Sequence, residues 1–96
     1  MVLIILQKSY EMFTLPFEYN SKKYSALVHV KASKIGKEYR LTIMDGDLES
    51  LLYGNHVLTE RDGVLFPLHT PNAQNEQLVT ELINSLSQYL LYTAVL

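Results

Sequence analysis

Apolar and polar residues alternate along three stretches in the first half of the chain, 13–19, 23–31 and 38–44. The apolar positions are Phe13, Leu15, Phe17, Tyr19, Tyr24, Ala26, Val28, Val30, Tyr39, Leu41 and Ile43. A period of two is typical of a β-strand that buries one face and exposes the other. We therefore predict three strands whose apolar residues share one side of a sheet.

The segments between these stretches contain turn-forming residues. Asn20 with Ser21, or Ser21 with Lys22, can form a two-residue hairpin loop, and either choice keeps the apolar residues on one side. Gly36 can supply a positive φ in the second reversal. Pro16 lacks a backbone donor, so its strand is expected at a sheet edge or at a bulge.

Two further strands are predicted from the middle of the sequence. Residues 51–60 form an apolar-rich segment that we interpret as a fourth strand, although its buried face cannot be assigned. Gly54 within it indicates a bulge or a close approach of another backbone. Asp62 and Gly63 predict a tight turn into a short strand at 64–66.

The period changes in the last quarter of the chain. Leu78, Leu82, Leu86 and Leu90 are four residues apart, and Val79 and Ile83 widen the stripe that they form. This spacing predicts one amphipathic helix over residues 70–92, with Pro71 and Asn72 near its start. Its apolar stripe should lie on the sheet.

These elements predict a single α+β domain over residues 1–96. We expect two layers, an antiparallel meander of four to five strands followed by one C-terminal helix packed on one face. Residues 1–11 are either an extra strand or an appendage that follows an upstream start, because Met12 stands close to the first clean strand pattern. No repeat or linker divides the chain.

Composition excludes several classes of protein. Hydrophobic residues make up 48% and charged residues 19% of the chain, which argues against disorder. There is no cysteine, so disulfides, thiolate nucleophiles and cysteine zinc sites are excluded. The apolar run at 1–6 is too short for a bilayer span or a signal peptide. We therefore expect a cytoplasmic protein with no membrane partner.

Charge is unevenly distributed although the net charge is only −2. Six of the eight Lys and Arg residues lie between positions 20 and 40, where Glu38 is the only acid. Alternation places Lys23, His29, Lys31 and Arg40 on the open face of the sheet. This face is a candidate binding surface for an acidic protein partner, while the acidic remainder of the chain disfavours nucleic acid.

A second hypothesis concerns the acidic stretch at 44–50. Asp45, Asp47 and Glu49 offer the oxygen ligands that Ca²⁺ or Mg²⁺ prefers, but the spacing of a calcium loop is absent. Because Asp and Gly are also the commonest turn residues, a structural turn is the leading interpretation here. A metal or small-ligand site is the alternative.

A third hypothesis is a small enzyme with a pocket between helix and sheet near His56 and His69. The three histidines lack metal-ligand spacing, and no phosphate-binding glycine motif occurs. The sequence therefore assigns no catalytic residue and no cofactor, and favours a protein that is not an enzyme.

The leading hypothesis is a non-enzymatic interaction module that uses the open sheet face or a sheet edge. Apolar runs at 1–6 and 89–96 exceed what one small core needs, so we also expect a homodimer. Its interface would involve the helix end, the N-terminal segment or a sheet edge.

Overall fold

The fold is a five-stranded antiparallel meander with a long helix packed on one face. The computed structural model describes residues 10–34 and 36–95. The elements are β1 (Tyr10–Tyr19), β2 (Lys22–Ser33), β3 (Gly36–Ile43), α1 (Gly46–Leu51), β4 (Val57–Arg61), β5 (Val64–Pro67) and α2 (Glu76–Val95). The strand order is β1-β2-β3-β4-β5, and α2 contacts β1 and β5. The predicted α+β meander with a C-terminal helix is confirmed.

The prediction for residues 1–11 is covered only in part. Residues 1–9 lie outside the described residues, whereas Tyr10 and Glu11 form the start of β1.

Two hairpin turns set the strand register. Tyr19 pairs with Lys22, so Asn20 and Ser21 form the first loop, with φ values of 52° and 65°. Asp62 and Gly63 form the last loop, with φ values of 53° and 83°. Two successive residues with positive φ are typical of the turn that matches the right-handed twist of a β-hairpin. The first register places Phe13, Leu15 and Phe17 opposite Val28, Ala26 and Tyr24, so these apolar residues share one side of the sheet.

The core lies between the sheet and α2. Its buried sheet residues are Leu15, Phe17, Ala26, Val28, Val30, Tyr39, Leu41, Ile43 and Leu58. The helix contributes Leu78, Val79, Leu82 and Leu86, which follow the predicted stripe. The rings of Phe13 and Tyr89 stack with their centroids 4.3 Å apart and join β1 to α2. Each fully buried Leu, Val or Phe side chain contributes roughly 1.5–3 kcal/mol, so this layer contact stabilises the fold.

The acidic stretch forms a short helix, which corrects the interpretation as a turn. Asp45 precedes α1, and its Oδ1 accepts a hydrogen bond from the N–H of Leu48 at 3.2 Å. This is the N-cap arrangement that satisfies a helix donor. Leu48 and Leu52 are four residues apart and both are buried, so α1 covers part of the core.

The predicted fourth strand begins too early at residue 51. Leu51 belongs to α1, and β4 starts only at Val57. Gly54 has a φ of 88° in a turn that the N–H of Asn55 closes on the carbonyl of Leu52 at 2.8 Å. It therefore marks a turn and not a bulge. His56, which the sequence placed within this strand, lies just before it.

Two asparagines delay the start of α2 to Glu76. The Oδ1 of Asn72 accepts hydrogen bonds from the N–H groups of Gln74 and Asn75 at 2.8 and 2.9 Å. The Oδ1 of Asn75 accepts one from the N–H of Asn72 at 3.0 Å. Side chains that bind nearby backbone groups in this way compete with helix formation. The helix therefore starts at Glu76, later than the predicted start near Pro71 and Asn72.

Asn75 also connects the long helix to α1. It is fully buried, and its Nδ2 donates to the carbonyl of Leu51 at 3.1 Å and to Oδ1 of Asn55 at 2.9 Å. The Nδ2 of Asn55 in turn donates to the carbonyl of His69 at 2.8 Å. The buried amides are thus satisfied, as buried polar groups must be. The network fixes α1 and the start of α2 relative to each other.

Both edge strands of the described sheet contain a proline. Pro16 lies in β1 and Pro67 in β5, and these are the first and last strands of the sheet. The edge position predicted for Pro16 is confirmed. Within the described ranges, neither helix has the length and apolar character needed to cross a membrane.

Candidate functional site

The sheet face opposite α2 carries a row of residues that crosses the whole sheet. Met12 lies opposite His29, His29 opposite Arg40, and Arg40 opposite Val57. Leu68 continues the row, because its N–H donates to the carbonyl of Val57 at 3.0 Å. Met12 and Leu68 are 51% and 47% exposed. The row is thus apolar at both ends and basic in the middle.

A second row of open-face residues lies parallel to the first, two residues nearer the β2–β3 turn. Lys31 is opposite Glu38, Glu38 is opposite Thr59, and Thr59 is opposite Phe66. The guanidinium of Arg61 lies over the Phe66 ring, 5.2 Å from its centroid. A cation over an aromatic ring holds both side chains in place on an exposed surface.

Two shallow depressions lie between these rows and share Glu38. One has a volume of about 260 Å³ and is lined by His29, Lys31, Arg40 and Val57 among others. The second has a volume of about 180 Å³ and includes Thr59, Arg61, Phe66 and Leu68. We call the two together the sheet-face groove. We call its apolar lining residues Val57, Phe66 and Leu68 the floor, and the cations Lys31, Arg40 and Arg61 the rim. Lys37 and the acids Glu38 and Glu60 also line it, so cations outnumber acids by four to two.

The structure brings together three of the four binding residues that the sequence suggested. His29, Lys31 and Arg40 line the same depression. Lys23 is on the same face, but it lies opposite Glu18 and six residues from His29 along β2. At about 3.3 Å per residue this separation is about 20 Å. Lys23 is therefore not part of the sheet-face groove.

Sequence reasoning missed the apolar floor of the groove. Val57 lies in the fourth strand, whose buried face could not be assigned, and Phe66 and Leu68 lie in or next to the short fifth strand. The alternation of Val57, Thr59 and Arg61 against Leu58 and Glu60 is the signal that could have placed them. This alternation was not recognised because the predicted strand also included residues 51–56, which do not belong to β4.

Charge is divided between the two layers of the molecule. Every Lys and Arg in the described ranges lies in a strand or in a turn between strands, and α1 and α2 contain none. The acids of the helix layer are Asp45, Asp47, Glu49, Glu76 and Glu81. On the open sheet face, the cations Lys23, Lys31, Arg40 and Arg61 outnumber the acids Glu18 and Glu38, so this face is basic.

The three carboxylates proposed as metal ligands have different roles. Asp45 caps α1, and Asp47 is exposed. The two oxygens of Glu49 lie 2.7 Å from the N–H of Ile43, which donates to it, and 2.8 Å from Nε2 of His56. Within residues 10–34 and 36–95, no three His, Asp or Glu side chains are arranged to hold a metal ion. Metal binding by this stretch stays a prediction that nothing in the structure supports.

We expect Glu49→Ala to lower the free energy of unfolding by about 2 kcal/mol. The change removes the acceptor of the Ile43 N–H, and a buried donor left unpaired costs about 1–3 kcal/mol. It also removes the carboxylate oxygen that lies 2.8 Å from Nε2 of His56. Asp47→Ala is the matched control, because Asp47 is exposed on the same helix. Urea unfolding of both variants measures the difference, and equal losses would contradict this role of Glu49.

The structure also contains a groove between helix and sheet, but not at the predicted place. It has a volume of about 660 Å³ and is lined by Glu11, Lys37, Tyr39, Glu60, Leu90 and Leu91 among others. His56 and His69 do not line this helix–sheet groove. They lie near the start of α2, whereas the groove lies near its end.

Tyr39 and Glu60 form the polar contact inside the helix–sheet groove. The hydroxyl of Tyr39 donates to Oε1 of Glu60 at 3.2 Å. Burial, reinforced by the negative charge of Glu60, raises the pKa of Tyr39 above its usual range. The phenol therefore stays protonated and acts as a hydrogen-bond donor, which suits a structural role better than a basic one.

Comparisons with protein-family models, with curated proteins and with solved structures found no match for this chain. Its function is therefore inferred from the surfaces described above.

Proposed function

We propose that this protein is a non-enzymatic interaction module that binds an acidic protein segment through the sheet-face groove. The observation that carries this proposal is the apolar floor of Val57, Phe66 and Leu68 beside a rim of lysine and arginine. Exposed apolar surface rimmed by charged residues is characteristic of protein contact sites.

The floor and the rim have different roles in this proposal. Ion pairs with exposed side chains contribute only about 0.2–1 kcal/mol each, so the rim alone gives weak binding. Complementary charge instead speeds association and rejects basic partners. The affinity comes from apolar side chains of the partner that cover the floor, as in the dry centre of other interfaces.

The size of the depressions also favours a protein segment over a small molecule. Small-molecule pockets typically have volumes of roughly 300–1,000 Å³ and enclose most of their ligand. The two depressions are about 260 and 180 Å³ and lie on an open face. Each has room for one or two side chains of a partner.

Selection from a random peptide library tests the proposal. The protein is immobilised on a solid support at low density, and the twelve-residue peptides that bind to it are sequenced. We expect the selected peptides to combine Asp or Glu with Leu, Phe or Tyr, and to elute when salt is raised. We also expect at least tenfold weaker binding to the double variant Arg40→Glu/Arg61→Glu.

A double variant with the same change of charge is the control. Lys22→Glu/Lys23→Glu reverses two exposed cations at the far end of the sheet and should bind the selected peptides like the unchanged protein. Selected peptides without acidic residues, equal losses in both double variants, or no selected peptide at all would each overturn the proposal.

A further inference from the structure

We propose that the segment bound by the sheet-face groove is Tyr53, with the acidic helix layer around it, from a second copy of this chain. This inference rests on the proposed function and names its partner. Tyr53 follows α1 directly and is 81% exposed, although it is a large aromatic residue. Large aromatic side chains are enriched in the central contacts of protein interfaces.

The buried residues before and after Tyr53 fix its backbone, while its side chain stays exposed. Leu52 is fully buried in the core, and Asn55 is buried and hydrogen-bonded to Asn75. The N–H of Tyr53 donates to the carbonyl of Ser50 at 3.2 Å, and that of Asn55 to the carbonyl of Leu52 at 2.8 Å. The backbone of Tyr53 is thus fixed before any partner arrives. With the backbone fixed, only the two side-chain torsions of tyrosine are ordered on binding, and this costs little conformational entropy.

The helix that precedes Tyr53 in the chain and the start of α2 beside it are opposite in charge to the cations of the groove. Asp47 on α1 and Glu76 at the start of α2 are exposed, and neither helix has a lysine or arginine. The hydrogen bond from Asn75 to the carbonyl of Leu51 keeps the start of α2 beside α1. An aromatic residue next to the acidic helices would therefore meet an apolar floor beside cations.

The chemistry of a tyrosine side chain fits the same groove. Its ring can cover Val57 and Phe66, and its hydroxyl can accept a hydrogen bond from a rim guanidinium. Arg40 and Arg61 supply cations at the rim. Carboxylates of the helix layer would then pair with the remaining rim charges.

Tyr53 and the groove occupy different places on one chain, so the contact joins unlike surfaces. Two copies related by a two-fold axis would make this contact twice, and a row of copies would make it once per neighbour. In both arrangements, one intact tyrosine and one intact groove are enough for one contact.

Two variants and their mixture test the inference by sedimentation equilibrium at low salt. The unchanged protein is expected to self-associate. Tyr53→Ala and Arg40→Glu/Arg61→Glu are each expected to associate at least tenfold more weakly. An equimolar mixture of these two should regain association as a one-to-one complex, because the first keeps the groove and the second keeps the tyrosine.

Control variants separate this contact from general effects. Leu91→Ala removes another exposed large apolar side chain, and Lys22→Glu/Lys23→Glu makes an equal change of charge. Both should associate like the unchanged protein. A monomeric unchanged protein, undiminished association of Tyr53→Ala alone or of Arg40→Glu/Arg61→Glu alone, or a mixture that stays monomeric would each overturn the inference. If acidic peptides still bind the groove in those cases, the proposed function stands and only the partner is wrong.

Discussion

Gly36→Ala is expected to lower the melting temperature by about 12–24 °C. Gly36 begins β3 with a φ of 155°, and a Cβ atom built there would overlap the carbonyl oxygen of Glu60 on β4. The backbones of β3 and β4 cannot move apart here to make room for the Cβ atom without breaking the hydrogen bonds that pair the two strands. We estimate a cost of about 3 kcal/mol, and 1 kcal/mol corresponds to about 4–8 °C in a domain of this size.

Gly46→Ala is the matched control for this experiment. Gly46 begins α1, and a Cβ atom built there meets no other atom within 4 Å. Alanine also favours a helix more than glycine does, so the stability should stay equal or rise slightly. Thermal unfolding followed by circular dichroism compares the two variants. A Gly36→Ala protein as stable as Gly46→Ala would contradict the close approach of β3 and β4.

Asn75→Asp is expected to destabilise the protein by about 3 kcal/mol at pH 7. The buried amide nitrogen of Asn75 donates to the carbonyl of Leu51 and to Oδ1 of Asn55. A carboxylate would place a charged oxygen against these two acceptors and remove both donors. Leaving buried acceptors unpaired costs about 1–3 kcal/mol each, and the buried charge adds to this.

The loss of stability caused by Asn75→Asp should be smaller at acidic pH. Burial and the facing oxygens raise the folded-state pKa of the new carboxyl group above its unfolded value of about 3.9. The folded state then holds the proton more tightly, so stability is retained below pH 4 and falls as the pH rises through the folded-state pKa. Urea unfolding at several pH values, relative to the unchanged protein, measures this trend.

Asn72→Asp is the control from the same loop. The Oδ1 of Asn72 only accepts hydrogen bonds, from Gln74 and Asn75, and the residue is exposed. A carboxylate can accept both and lies near the positive end of the α2 dipole, so the change should be neutral or slightly stabilising. Similar losses for Asn72→Asp and Asn75→Asp would show that the buried donors of Asn75 are not important.

Most of the fold could be predicted because the spacing of apolar residues along the chain shows directly which side chains are buried. The alternation in β1, β2 and β3 and the four-residue spacing of Leu78, Leu82 and Leu86 survive in the structure. The short helix α1 could not be predicted, since six helical residues that begin with the glycine of an Asp-Gly pair look the same as a turn. The strand was then predicted to start at residue 51, although Leu51 ends α1 and Leu52, its C-cap, is buried four residues after Leu48.

Less of the candidate site could be predicted. Alternation along single strands placed His29, Lys31 and Arg40 on the open face, but distance along the strand separates Lys23 from them. Phe66 joins these residues only through the pairing of four strands, which no local pattern reveals. The role of Asn75 also depends on partners at Leu51 and Asn55, more than 19 residues away in sequence.

The prolines in the two outer strands have a consequence for aggregation. An exposed sheet edge is a template on which identical chains can add strands and grow into fibrils. Pro16 and Pro67 each lack the donor that continued strand addition requires, and β5 has only four residues. Glu11 and Glu18 add like charges to the longer edge, so two copies of β1 would repel each other if they paired. The sheet is thus protected against growth along its edges, while its open face stays available for contact.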